Sequence, residues 1–218
     1  MYTSAFSSSI QEDKNAQEQP PRSSVLAYII IRRTVELLLC LIGFTILLFL
    51  IPLFWLLNYF FAPGPLFYQQ ARVGQHGKVF QMIKFRSMVV DAEIDGPVWA
   101  EVNDERVTPI GYFLRKSHID ELPQFWHILC GDMSLIGPRP ERPEFVAQLA
   151  EELPDYELRH VIRPGLTGWA QVNYGYGSSV DDAAIKLSYD LHYVREQNWR
   201  MDVEILYKTI WVVVAHVS

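Results

Sequence analysis

From Leu37 to Ala71 no side chain carries a charge. The uninterrupted core, Leu37 to Leu57, is 21 residues long. As a straight helix rising about 1.5 Å per residue it covers roughly 31 Å, the thickness of a bilayer core. Pro52 interrupts the run, because it has no N–H to donate and its ring clashes with the preceding turn. The piece before it, 37–51, reaches only about 22 Å, and the piece after it, 53–61, about 13 Å. Arg32 and Arg33 precede the run, and Arg72, Lys78, Lys84 and Arg86 follow it. With basic residues on both flanks, the positive-inside rule places both ends on the cytoplasmic side. Two readings stay open: a helix bent at Pro52 that enters and leaves on one face, and a kinked spanning helix.

Residues 1–24 are polar, rich in Ser, Gln and Pro, and read as a disordered tail with no signal-peptide pattern. The layout is therefore a tail (1–24), a membrane-associated helical region (25–62) and a cytoplasmic domain (63–218). A net charge of −6 makes nucleic acid a poor partner. Two cysteines, Cys40 and Cys130, form neither a disulfide framework nor a zinc set, and the six histidines show no metal-ligand spacing.

After the stiff turn Pro63-Gly64-Pro65, the segments 66–70 and 79–86 read as strands, with Gly74-Gln75-His76-Gly77 as the turn of a β-hairpin. Strand alternation puts Lys84 and Arg86 on one face, where two cations could converge on a phosphate or simply face solvent. Residues 91–107 are acidic and irregular. Leu122, Phe125, Trp126 and Leu129 recur at helical spacing, predicting a helix over about 120–130 ended by Gly131. Further helices are expected over about 143–158, 180–197 and 201–214, the last packed on the core or lying at the membrane surface. The fold class is α+β, mostly helical, with a small hairpin and a membrane-associated N-terminal helix.

The densest chemistry is the adjacent pair Asp120 and Glu121, with Arg115 and Lys116 before it and Arg139 and Arg142 behind it. The spacing allows three jobs. Ser117 and Asp120 stand three apart, as in a capping box, or Asp120 is itself the N-cap with Glu121 at the positive end of the dipole. Alternatively the acids hold Mg²⁺ or attack a phosphate whose oxygens the arginines neutralise. Pro138-Arg139-Pro140 is a rigid mount for a guanidinium or a sharp connecting loop. The glycine- and aromatic-rich stretch 163–177, which includes Gly168 and Gln171, could receive a base or sugar ring or be purely structural.

In combination, Pro63-Gly64-Pro65, Lys84-Phe85-Arg86-Ser87-Met88, Asp120-Glu121-Leu122-Pro123-Gln124, Gly131-Asp132-Met133-Ser134, Gly137-Pro138-Arg139-Pro140 and Pro164-Gly165-Leu166-Thr167-Gly168-Trp169 resemble the bacterial sugar transferases, specifically the monotopic phosphoglycosyl transferases. The resemblance runs from about Arg32 to the C-terminus. It implies that Asp120 attacks the sugar-bearing phosphate of a UDP-sugar, that UMP leaves, and that polyprenyl phosphate then collects the sugar phosphate from the aspartyl intermediate. It implies Glu121 as a Mg²⁺ ligand, Lys84, Arg86, Arg115 and Arg139 at substrate phosphates, and substrate-binding positions at Gly168, Gln171 and Asp190. It implies a re-entrant helix broken at Pro52 in the bacterial inner membrane, with the catalytic domain on the cytoplasmic face. Exopolysaccharide or capsule initiation with a hexose donor is the implied setting, and a homodimer suits a membrane enzyme of this size. Two positions depart from the family pattern: Ile51 stands where a Ser often precedes the proline, and Glu36 where an Asp often follows the basic pair. The polar tail replaces the extra N-terminal helices and domain of some relatives, so the chain looks like a minimal form. A binding scaffold that keeps the fold without turnover, and a phosphohydrolase using the same intermediate, are the competing readings.

Overall fold

The computed structural model describes residues 22–94, 96, 104–175, 177 and 179–217. The expected tail lies outside the described residues up to position 21, as does most of the acidic segment beyond Ile94. Two compact units result, Met1–Val35 and Glu36–Ser218. The boundary lies inside the long helix, so Glu36–Phe61 belongs to the same unit as everything downstream.

Helix α1 spans Arg22–Phe61 with Pro52 inside it. The expected division at Pro52 is therefore not an element boundary. The ring removes the N–H that would reach the Leu48 carbonyl, and helical backbone continues on both sides. From Leu26 to Phe61 the helix is long and apolar enough to cross a membrane by length and composition. Within the second unit only one stripe of it is covered. Glu36, Cys40, Gly43, Leu47, Phe54 and Asn58 are buried, at steps of three, four or seven. The other faces expose Leu38, Ile42, Phe49, Leu53, Trp55 and Phe60. The stripe approaches closely because Gly43 has no side chain: a Cβ there would lie 2.3 Å from the Phe125 ring.

Strands β1 (Phe67–Val73) and β2 (Val79–Phe85) form the expected antiparallel hairpin, with Phe67 opposite Phe85 and Val73 opposite Val79. The turn holds His76 and Gly77 at positive φ, 56° and 75°. Next come α2 (Pro109–Lys116), a 3₁₀ turn (Ile119–Gln124) and α3 (Phe125–Cys130). The single helix expected over 120–130 is thus a 3₁₀ turn followed by a short α-helix. Strand β3 (Ser134–Ile136) pairs in parallel with β4 (Gly165–Thr167), a second small sheet that sequence reasoning missed. Three residues are too few for strand periodicity to register. Helices α4 (Pro143–Glu152), α5 (Trp169–Asn173), α6 (Val180–Glu196) and α7 (Trp199–Val217) complete the unit, with a 3₁₀ helix over Tyr156–Val161 after α4. Helix α7 buries Met201 and Ile205 but exposes Trp199, Val203, Tyr207, Ile210, Trp211 and Val214.

Three apolar clusters hold the unit together; the α1 stripe enters two of them, and the third joins Leu149, Tyr156 and Leu187. Cys40 packs with Ile128, Met133, Ile136, Tyr193 and Ile205. Leu47 and Phe54 pack with Phe85 and Leu114. A polar contact fixes the register of the first: the Glu36 carboxylate accepts from the Ser134 hydroxyl and, at 3.2 Å, from the Leu135 N–H.

The C-terminus of α1 has no basic residue in its last turn. Arg86 supplies that charge from just beyond β2. Its Nη2 donates to the Ala62 carbonyl and, at 2.9 Å, to Asn58 Oδ1, while Nε donates to the Pro65 carbonyl at 2.7 Å. Asn58 Nδ2 in turn donates to the Gly64 carbonyl at 2.8 Å. A cation at a helix C-terminus is favourable, and the alternative here is several buried carbonyls without donors. Replacing Arg86 with Met is expected to lower unfolding free energy by about 3 kcal/mol, read from denaturant melts in detergent. An unchanged midpoint would refute this structural role.

Candidate active site

The acid pair sits where α2 hands over to the 3₁₀ turn. Thr108 caps the start of α2, its Oγ1 accepting from the Gly111 N–H at 3.0 Å, with Pro109 in the first turn. At the far end the Ser117 hydroxyl donates to the Phe113 carbonyl at 2.8 Å. His118 turns the chain through the left-handed region, φ 55°. The capping expectation is corrected by this arrangement: Ser117 closes the preceding helix, and Asp120 lies inside the turn, so neither makes a capping box. The turn packs against β2, which brings Lys84 beside the acids.

The two neighbours have opposite environments. Glu121 Oε1 accepts from Lys84 Nζ at 2.8 Å and from Arg139 Nη2 at 2.6 Å, and Oε2 accepts from Arg139 Nη1 at 3.4 Å. Burial works to raise its pKa, but Arg139 and then Lys84 override it and hold the carboxyl well below the ordinary range. Asp120 is only 7% exposed, and its carboxylate makes no hydrogen bond or ion pair among the described residues. Burial pushes it up to about 6, with Glu121 adding and Lys84, Arg139 and Arg115 opposing. One acid is thus a saturated anion, and the other is a free carboxyl that ionises near neutrality. Burial lowers the Lys84 pKa, and the adjacent Glu121 charge works against that.

The pair opens on a cleft of about 1660 Å³, also lined by Lys84, Arg115, Arg139 and Gln171. The Arg115 side chain makes no hydrogen bond or ion pair among the described residues, so its guanidinium is available to an anion beside Asp120. Lys84 and Arg139 are brought together on Glu121. Arg86, expected beside Lys84, is not: β2 ends at Phe85, so strand alternation no longer sets its direction, and it turns to the α1 terminus. Gly168 lies on the backbone of the other motif loop, where a Cβ would come within 2.2 Å of the Gly137 carbonyl oxygen. Gln171 donates to the Leu166 carbonyl at 3.2 Å, and its Oε1 is buried without a hydrogen-bond partner. Asp190 is 2% exposed and bound to Arg159, Nη2 to Oδ2 at 2.6 Å.

Sequence reasoning missed Arg72, Tyr156 and Arg159. None stands in a motif, and each acts through contacts distant in the chain. His127 was passed over as a metal ligand, and its role is structural. Its Nε2 accepts from the Ile83 N–H at 3.1 Å, which places the ring proton on Nδ1, facing Asp132 at 3.4 Å.

The family model for bacterial sugar transferases matches residues 27–216. Among curated relatives, the UDP-N-acetylgalactosamine-undecaprenyl-phosphate N-acetylgalactosaminephosphotransferase of Aeromonas hydrophila is 48% identical over 149 residues, covering 68% of this chain and 35% of the relative. The UDP-glucose:undecaprenyl-phosphate glucose-1-phosphate transferase of Escherichia coli K12 is 40% identical over 152 residues, covering 69% and 33%. The exopolysaccharide production protein PSS of Rhizobium leguminosarum is 39% identical over 156 residues, covering 68% and 78%. The chain therefore spans about a third of the length of the first two relatives and most of the third. With the match running through α1, the acid pair and the Arg139 loop, this chain belongs to the bacterial sugar transferase family.

Proposed function

We propose that the protein transfers a sugar 1-phosphate from a UDP-sugar to undecaprenyl phosphate at the cytoplasmic face of the bacterial inner membrane. The observation that carries this reading is the contrast between a free, buried Asp120 and a saturated Glu121 at the rim of a cationic cleft. The names of the relatives supply the donor and acceptor classes.

In the proposed first step an Asp120 carboxylate oxygen attacks the sugar-bearing phosphorus. The bond from that phosphorus to the bridging oxygen breaks, and UMP departs with the electron pair. An aspartyl phosphosugar remains. In the second step an oxygen of undecaprenyl phosphate attacks the same phosphorus, the Asp120 carboxylate leaves, and undecaprenyl diphosphate sugar forms. Arg115 and Arg139 are cations placed to balance charge on the phosphoryl oxygens. Lys84 and Arg139 keep Glu121 ionised, and burial keeps water from screening these charges.

Among the described residues no group of three or more His, Cys, Asp or Glu side chains is placed to hold a metal. A buried carboxylate held as an anion fits Mg²⁺, which commonly takes one or two carboxylates. Glu121 would hold it, since Oε2 carries only the 3.4 Å contact from Arg139 Nη1, and the ion would supply positive charge against the phosphates during transfer. A cleft of this volume also has room for a nucleotide and a lipid phosphate together.

The exposed apolar faces of α1 and α7 suit a bilayer, which would deliver the lipid acceptor to the cleft. In the re-entrant reading both flanks of α1 face the cytoplasm. The relatives' donors support a hexose or N-acetylhexosamine as the sugar, and the exopolysaccharide relative supports the first membrane step of repeat-unit assembly.

Purified protein given Mg²⁺, undecaprenyl phosphate and a panel of UDP-sugars is expected to release UMP with at least one of them. Asp120→Asn should lose roughly 10⁴-fold or more in rate, and full activity in that variant would falsify the nucleophile assignment. The pH dependence follows from the same residue. Asp120 must be ionised to attack, so kcat/KM should fall tenfold per unit as pH drops below about 6 and level off above it. A flat profile from pH 4 to 7 contradicts this. For topology, single cysteines at Ser23 and at Glu93 are expected to label from the cytoplasmic side only, and labelling from opposite sides rules out the re-entrant path.

A further inference from the structure

Prolines at 138 and 140 leave the Arg139 mount without two of its backbone donors, so no regular element can hold it. Its carbonyls are held instead, one after another. The Pro138 carbonyl accepts from the Gly165 N–H at 2.8 Å and the Glu141 carbonyl from the Val73 N–H at 2.9 Å. Between them, the Pro140 carbonyl accepts from Arg72 Nη1 at 3.0 Å and the Arg139 carbonyl from Arg159 Nη2 at 2.9 Å. Four successive carbonyls are thus pinned, two by backbone and two by arginine side chains.

The Arg159 guanidinium reaches the Arg139 carbonyl because other partners fix it. Asp190 Oδ2 accepts from its Nε at 3.0 Å and its Nη2 at 2.6 Å, and the Tyr156 hydroxyl accepts from Nη1 at 3.0 Å. Arg159 and Asp190 are 6% and 2% exposed, so neither is free to swing toward a substrate. A buried ion pair is weak evidence for stability alone, because apolar replacements of similar volume often do as well. Its geometry here has a specific consequence, since it sets the backbone from which Arg139 reaches Glu121.

We propose that Asp190 and Arg159 are positioning residues for the transferase reaction: the pair clamps the Arg139 carbonyl and so sets the guanidinium that ties down Glu121 beside Asp120. Asp190 then acts at a distance and takes no part in binding substrate phosphate, which its own negative charge would repel. The proposal rests on the transferase reading of the site, and it makes Arg139 the only route by which the pair influences chemistry.

The test replaces both charges at once, Arg159→Met with Asp190→Leu, so that no buried charge is left unpaired. The expected result is a folded protein with a melting temperature close to wild type and UMP release per folded molecule reduced about 10²-fold. In an Arg139→Met background the same replacement should change the remaining rate by less than about twofold, since no guanidinium is left to place. Amide hydrogen exchange over 134–142 should rise in the pair variant while α6 and α7 stay protected. That measurement needs no turnover, so it still decides the clamp if wild type releases no UMP and the transferase reading fails. Should the pair variant not fold, Arg159→Lys keeps the charge opposite Asp190, shortens the reach to the Arg139 carbonyl, and carries the same readouts. Wild-type rate and exchange in a folded variant overturn the proposal, as do equal losses in both backgrounds. Failure of both variants to fold also overturns it, because the pair would then serve the fold as a whole.

Discussion

Glu121 joins three parts of the molecule that are far apart in the chain: the 3₁₀ turn that carries it, strand β2 through Lys84, and the Pro138–Pro140 loop through Arg139. Remove that carboxylate and two cations lose their shared partner, the turn loses its hold on the hairpin, and the acid next door loses its defined surroundings. Its saturation is what leaves Asp120 free. Two carboxylates in one cationic site would ordinarily divide the available positive charge. Here Lys84 and Arg139 are committed to Glu121, so burial dominates at Asp120 and pushes its pKa up to about 6. Capping, one of the readings open for the acid pair, drops out because His118 turns the chain before Asp120 is reached.

The long helix contributes through one stripe. Glu36 reaches β3, Cys40 enters the core of β3 and α3, Gly43 admits the Phe125 ring, and Leu47 and Phe54 pack under the hairpin. Its last turn is closed by Arg86 from the far end of the same hairpin. The apolar segment from Glu36 onward is therefore built into the larger unit, which accounts for a unit boundary that falls at Val35 rather than at the end of the helix. The remaining faces of α1 and the outer face of α7 keep their apolar side chains exposed.

Much was legible in the chain. The uncharged run, the hairpin with its glycine turn, and the helices over 180–196 and 199–217 follow from composition and local periodicity and are where expected to within a few residues, whereas the helix expected over 143–158 stops at Glu152 and gives way to the 3₁₀ helix Tyr156–Val161. The β3–β4 sheet was not legible, because three-residue strands give no alternation and their pairing spans some thirty positions of chain. The split of 119–130 into two helix types escaped for a related reason. Hydrophobic spacing marks which face is buried but does not distinguish a 3₁₀ turn containing Pro123 from an α-helix. Among the motif residues, Lys84 and Arg139 converge on the acids, whereas Arg86 holds carbonyls at the end of α1, Gly168 packs against the Gly137 backbone and Asp190 pairs with Arg159.

By itself the sequence determined the inventory: an apolar segment too long for a small soluble core, a family signature spread along most of the chain, and a short list of acids and arginines that belong together. These are local properties, set by side-chain chemistry and by the period of helix and strand. Only the tertiary structure decided how those residues divide their work. Which of two adjacent carboxylates is neutralised, which of two strand cations reaches the site, and what holds Arg139 in place depend on buried charges finding partners 18 to 68 positions away. In a low-dielectric interior the partner, not the residue type, fixes whether a carboxyl is a tethered anion or a free group that holds its proton longer.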